Sequence, residues 1–374
     1  MKFSCIKENL YKTLSLVVAI TGKNINLPIL GNVLIKAEEQ KVEIIATNLE
    51  VAITANLRSK VEKPGAFTVP GKTLLDFVNL MTEEKVEIEI EENELKIVCG
   101  KSSTKIKGTP AEDFPVIPKP DEGKGYSVEI ERFKNGLSQV LPAVSKNDIR
   151  PELSGIYLGF NTERFGGLVM AATDSYRLAE KKIVLSQGGD IFTAIMPGRT
   201  AQELSRIISI LSQGEEEKNI RILINENQIV FNYGNTQLIS RLVEGQYPDY
   251  TQIIPTEFKT TSEFSKNNMI KEIKAASIFT TTGINAVSLD MNVASGTIGV
   301  SSTSTQTGEY LSEVVSDVRG EENSILLNHR YVLDGLHNLD GEICIMKVVN
   351  ADSPCLLLPK DKDDYLYIVM PIRQ

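Results

Sequence analysis

Apolar residues recur along this chain with two periods, and the change from one to the other marks out its elements. Leu10, Leu14, Val17 and Val18 keep the i, i+4, i+7, i+8 spacing of one helix face, and Phe133, Leu137, Val140, Leu141 and Val144 keep a similar one. Pro142 falls inside the second run and predicts a kink or an early end. Period two governs Val86-Glu-Ile-Glu-Ile-Glu91 and, beyond the turn Glu92-Asn-Glu94, Leu95 and Ile97. The same figure returns as Ile222 and Ile224, the turn Asn225-Glu-Asn227, then Ile229, Phe231 and Tyr233. Many alternating strands with few helices predict antiparallel sheet packed on a helix layer, an α+β fold.

These patterns occur three times. A strand leading into an amphipathic helix begins at Phe3, Val128 and Phe264, and a second helical line reads PGKTLLDFVNLM from Pro70, PGRTAQELSRII from Pro197 and LNHRYVLDGLHN from Leu327. A Pro-terminated turn follows at Glu112–Pro118, Gly245–Pro255 and Asp364–Pro371. Successive copies lie 125 to 136 residues apart. A period of that size is a domain length, so each copy can bury its own core. Three domains of antiparallel sheet on two helices are expected, at 1–122, 123–252 and 253–374, parted where Pro and Gly cluster at Pro118–Gly125 and after Tyr250.

Composition adds little: 41% hydrophobic and 24% charged residues suffice for folded cores and argue against disorder. The apolar stretch Leu14–Ile20 behind Lys2 looks like an export signal, but Ser15 interrupts it and its counterparts recur as helices inside the chain. No apolar run approaches the roughly 18 residues of a membrane span. Cys5, Cys99, Cys344 and Cys355 show no CxxC spacing, and free thiols in the cytoplasm are expected.

Catalytic signatures are missing. Pro70-Gly-Lys-Thr73 looks like the end of a phosphate-binding loop, yet that motif needs a glycine at 66, where Ala stands, and Gly71 with Lys72 more simply opens a helix. His329 and His337 are eight apart in one helical segment and read as satisfied or solvated, and Asp361–Asp364 lacks the glycine and closing glutamate of a calcium loop. No cofactor or metal is expected, and no enzyme activity. Charge says more once divided. The six helical segments 6–20, 71–81, 131–145, 198–211, 266–279 and 328–337 hold eleven basic and six acidic residues, a balance of +5 that leaves −14 for the remainder of a chain totalling −9. If these helices share a surface, it is positive on an otherwise acidic body and suits a polyanion.

Four short sequences then point one way. Leu27-Pro-Ile-Leu-Gly-Asn32, Ala172-Thr-Asp-Ser-Tyr-Arg-Leu-Ala179, Tyr247-Pro-Asp-Tyr250 and Val369-Met-Pro-Ile-Arg373, in that order on a threefold repeat, resemble the bacterial DNA polymerase III beta subunit, or DNA sliding clamp, family over the whole length. The resemblance implies a head-to-tail homodimer closed into a ring, with helices lining a hole that encircles duplex DNA without reading its sequence. Such a ring tethers the replicative polymerase alpha subunit, and its other partners are the clamp loader and repair and translesion polymerases, captured through short peptide motifs.

By the same resemblance, DNA-facing basic residues fall at Lys23, Lys72, Arg150 and Arg199, with Asn24 where a basic side chain is common. The peptide groove carries over onto Leu153, Thr173, Ser175, Tyr176, Arg177, Leu178, Pro248, Ile253, Leu356, Ile368, Met370, Pro371 and Arg373. Taken singly, Leu153, Leu178 and Leu356 also read as ordinary core. Gln252 and Gln374 depart from the family pattern. The implied dimer interface places Ile106 opposite Ile278 and Phe279. Two other readings stay open, a nucleotide-binding enzyme using Pro70–Thr73 and a repeat scaffold without a DNA role.

Overall fold

A computed structural model of the chain describes residues 1–22, 27–117, 123–147, 149–212, 217–281 and 283–373. Its helices are α1 (Lys7–Val17), α2 (Gly71–Leu80), α3 (Ile130–Val140), α4 (Gly198–Leu211), α5 (Lys266–Ser277) and α6 (His329–Asn338), each following directly on a strand. The expected helical lines are therefore all present. α3 stops at Val140 and continues as a 3-10 turn over Leu141–Ala143, as Pro142 requires.

Leaving a strand with no loop exposes the first amides of a helix, and the first helix of each copy meets this demand in the same way. Lys7 N donates to Glu84 O at 2.8 Å, Ile130 N to Lys218 O at 2.9 Å and Lys266 N to Glu342 O at 2.8 Å. The second helices open differently. A Cβ on Gly71 would stand 2.9 Å from Val33 Cγ1, and one on Gly198 2.8 Å from Val144 Cγ1. The glycine of Pro70-Gly-Lys-Thr73 thus lets a helix start press against the sheet, and the phosphate-loop reading loses its main residue.

Strands distribute into two compact units. One comprises Met1–Glu131, Leu185–Gly189 and Arg199–Leu242, and holds a five-stranded sheet and a nine-stranded sheet. The other comprises Arg132–Val184, Asp190–Gly198 and Val243–Gln374, and holds a twelve-stranded sheet. The division cuts through the middle repeat because its strands are bonded to different copies. In the first unit Thr236–Arg241 pairs antiparallel with Val51–Leu57; in the second Tyr365–Val369 pairs antiparallel with Arg177–Ile183. Every named strand pairing is antiparallel, which makes the fold α+β.

Within each unit the helices cover one sheet face. Leu10, Leu14, Leu16 and Val17 of α1 are buried, as are Met269, Ile273 and Ala276 of α5. All four cysteines are free and buried. Burial pushes the thiols of Cys5 and Cys355 up to about 12 and that of Cys344 to about 11, so these are inert packing groups. No helix among the described residues is long and apolar enough to cross a membrane.

Candidate functional site

The turn from Thr173 to Arg177 joins two strands of the twelve-stranded sheet and is built almost wholly from its own polar side chains. Thr173 Oγ1 donates to Arg177 O at 2.6 Å and accepts from Ser175 N at 3.1 Å, while Asp174 Oδ1 accepts from the amides of Tyr176 and Arg177. Ser175 takes φ 77°, a left-handed conformation that side chains resist, and these four bonds hold it there. The turn thereby places Tyr176 outward and Arg177 inward. Met370 N donates to Tyr176 O at 2.8 Å, which fastens the C-terminal segment to the turn, and Ile372 N donates to Leu326 O at 2.8 Å.

An apolar floor lies beside the turn. Leu153, Leu178, Leu356 and Ile368 form one buried cluster with Ala171, Ile195, Tyr247 and Tyr250, and Ile253 and Met370 pack on its edge half-buried. Leu153, Leu178 and Leu356 are thus core residues, as each reads singly, and their cluster lies beside the turn. Pro248 sits on the connector that crosses the cluster and lines a cavity of about 570 Å3 with Tyr157, Arg164 and Ile195. Pro371 is half-buried and Arg373 exposed.

Arg177 is only 8% exposed, because its guanidinium is already engaged. Nε donates to Asp174 Oδ2 at 3.0 Å, Nη1 reaches Asp334 of α6, and the group lies 4.6 Å over the ring of Tyr331. Burial works against its charge, but Tyr367, Asp334 and Asp174 outweigh it and hold the pKa above the usual value. Arg177 thus acts as a fixed wall. Tyr176 stacks on Tyr331 with ring centres 6.4 Å apart and forms the exposed shoulder of that wall.

Several of these groups lay outside the sequence expectation: Asp174, Tyr247, Tyr250, Tyr331, Asp334 and Tyr367. Two were within reach, because Tyr247-Pro-Asp-Tyr250 puts two aromatic residues in an otherwise polar connector. Tyr247 Oη accepts from Thr173 N at 3.0 Å, and its ring packs against those of Tyr157 and Tyr250. The partners from α6 carry no local signal, since only the fold brings residue 334 to residue 177.

Comparison with known proteins decides what this arrangement belongs to. Family models of the DNA polymerase III beta subunit match the chain three times, the N-terminal domain at residues 1–118, the central domain at 127–249 and the C-terminal domain at 251–373. The chain belongs to the DNA polymerase III beta subunit family. It is 29% identical to the beta sliding clamp of Streptococcus pneumoniae, over 95% of this chain and 94% of that one, and 27% identical to that of Staphylococcus epidermidis, over 100% and 99%. The crystal structure of the Bacillus subtilis DNA polymerase sliding clamp superposes with a TM-score of 0.93 at 27% identity, covering 100% of this chain and 99% of that one. A Pseudomonas aeruginosa sliding clamp bound to griselimycin does so with 0.94 at 25% identity and full coverage of both chains. The fold is the sliding-clamp fold, and the family is a non-catalytic processivity factor.

The basic residues expected on such a clamp fall into different situations. Lys72 on α2 and Arg199 on α4 are exposed, and neither forms an ion pair with another described residue. Arg150 is exposed but pairs with Glu152 at 3.0 Å. Lys23, Asn24 and Gln374 lie outside the described residues. Two residues counted in the helix charge do structural work instead. Arg206 donates from Nη1 to Ser15 O at 2.8 Å and from Nη2 to Leu16 O at 2.7 Å, capping the end of α1, and Lys266 Nζ donates to Leu339 O at 2.8 Å, just beyond α6. The positive balance of the helices is real in sequence but smaller in what it offers a ligand.

The expected interface residues also differ among themselves. Ile278, just past α5, is 67% exposed, and Phe279 is half-buried with its ring stacked on Tyr310. Ile106 is only 7% exposed in the edge strand Ser102–Lys107, where it already packs into its own sheet. His329 is buried, which lowers its pKa, whereas His337 is exposed and bonds Leu333 O at 2.7 Å. The two histidines do not share an environment.

Proposed function

We propose that this chain works in the cytoplasm as one half of a ring that encircles duplex DNA and tethers the replicative polymerase and other partners to it, with three domains per chain. Membership of the family, across all three domain models, carries the reading. The chain's own repetition supports the closure. Each seam between copies is made by the last strand of one copy lying against the fourth strand of its neighbour: Thr236–Arg241 on Val51–Leu57, and Tyr365–Val369 on Arg177–Ile183. The corresponding last strand of the first copy, Ser102–Lys107, is a sheet edge, and the corresponding stretch of the third copy, Gly308–Val315, is paired on one side only. On that open edge Leu311 is 78% exposed and Val315 84%. A second chain set head to tail joins each open edge to its complement and leaves none over.

Lys72 and Arg199 supply sequence-blind phosphate attraction, while enclosure supplies retention. The groove beside Thr173–Arg177 takes short peptides with a glutamine and apolar anchors. Its apolar floor, the flexible Met370 and the fixed wall of Arg177 and Tyr331 support this, and the clamp loader and repair polymerases enter as partners through the same groove. The decisive test is topological. Loaded by a clamp loader onto nicked circular DNA, the protein stays bound in salt that strips electrostatic binders, and cutting the circle releases it. Equal residence on circular and linear DNA would mean direct binding instead.

A further inference from the structure

The connector that carries Pro248 and Ile253 spans an open space. Between Gly245–Thr251 and the sheet residues Tyr157, Val169, Thr193 and Ile195 lies the cavity of about 570 Å3. The connector buries the Tyr247 and Tyr250 rings in the cluster beneath it, but over the cavity it lacks continuous packing, so its exact position depends also on a few discrete contacts. Tyrosine hydroxyls supply two of them. Tyr247 Oη holds Thr173 N, as described, and Tyr250 Oη donates to Glu180 Oε2 at 2.6 Å.

Glu180 is an unusual partner. Its side chain is 2% exposed in a central strand, with Arg164 at 3.4 Å and Lys182 at 3.7 Å as its ion-pair partners. Arg164 Nη1 also donates to Tyr250 Oη at 3.2 Å and lies over the Tyr250 ring. A carboxylate held so deep costs stability unless its bonds are fixed in place, and a charge-assisted bond is both stronger and more directional than a neutral one. Tyr250 opens the 3-10 turn Tyr250–Ile253, whose Thr251 amide is capped by Asp249, so whatever holds Tyr250 also sets Ile253.

We infer that Glu180 is a positioning residue: through Tyr250 it fixes the connector, and with it the groove wall formed by Pro248 and Ile253. The inference rests on the peptide-groove reading above, and Glu180 itself lines no part of that groove. The test uses the intact chain and four proteins, wild type, Tyr250→Phe, Glu180→Leu and Glu180→Gln. Amide hydrogen exchange is followed over 248–254, and affinity for a peptide with a glutamine followed by leucine and phenylalanine anchors is measured by calorimetry. Loss of the hydroxyl bond in Tyr250→Phe speeds exchange over 250–254 by about tenfold, leaves the strand Phe165–Thr173 protected and weakens the peptide by about three- to tenfold. Glu180→Gln, which keeps an acceptor for Tyr250, recovers most of both. Tyr250→Phe is a single-atom change, so the outcome does not hang on whether Glu180→Leu folds. Unchanged exchange over 250–254 overturns the inference, and so does faster exchange with unchanged affinity. A wild type that binds no such peptide tells against the groove, while the exchange measurement, made without peptide, still decides the latch.

Discussion

Two cationic side chains on α4 show how far a residue's type is from its task. Arg199 points to solvent, whereas Arg206, two turns on, spends both terminal nitrogens on the last carbonyls of α1. Removing them leaves two partly covered carbonyls without a donor, and Arg206→Ala should lower stability by about 1–2 kcal/mol in urea denaturation with little effect on DNA. Lys72→Glu together with Arg199→Glu should do the reverse, weakening loading and raising its salt sensitivity while the unfolding midpoint stays put. An Arg206→Ala protein with wild-type stability and impaired loading would return that residue to the DNA surface. The sequence cannot separate these cases, because both arginines stand on the same helix with similar neighbours; only the chain end of a distant helix distinguishes them. The same holds for Arg177, whose signature segment is plain in sequence while Asp334 and Tyr331, which immobilise it, are more than 150 residues away.

At the level of elements the repeat runs deeper than its letters. Thr47-Asn-Leu-Glu-Val51 makes the same turn as Thr173-Asp-Ser-Tyr-Arg177: Thr47 Oγ1 bonds Val51 O, Asn48 Oδ1 accepts from Glu50 N and Val51 N, Leu49 has φ 75° and Arg241 N bonds Glu50 O. Helix starts, the Pro142 break and the alternating strands were legible because each depends on local spacing. This turn was not, since backbone geometry tolerates Leu or Ser at its strained position and only Thr is shared in place. Yet the first copy presents Val51 and Ala52 where the second presents Arg177 and Leu178, and its cluster of Ala52, Val230 and Ile239 is smaller. The proposed groove is thus an elaboration of a common joint, to which the terminal segment is fastened. Deleting residues 370–374 removes the bonds from Met370 N and Ile372 N but spares Tyr365–Val369. Peptide binding should fall below detection in calorimetry while the melting temperature shifts by no more than a few degrees; retained affinity would place the groove elsewhere.

For the whole molecule the decisive quantity is what covers the open edges. Leu311, Val315 and Ile278 are large apolar side chains left in water by a chain whose other seams are closed. Burying each contributes roughly 1.5–3 kcal/mol, so Leu311→Asp or Ile278→Asp should convert a dimer into monomers at micromolar concentration in light scattering. A wild type that is monomeric under the same conditions would remove the closed ring. The family resemblance placed Ile106 opposite Ile278, and Ile106 is largely covered within its own chain, because a strand at the edge of a sheet still turns alternate side chains into its own core. The seams themselves carry one more implication. Within a chain, each joint between copies has the polypeptide threading alongside it, so it can loosen but cannot come undone. In the proposed ring the two joints between chains would have no such thread. A hoop fastened at six similar clasps would then have only two that can be unbuckled, and getting onto a strand with no free end would become a matter of opening one of those two.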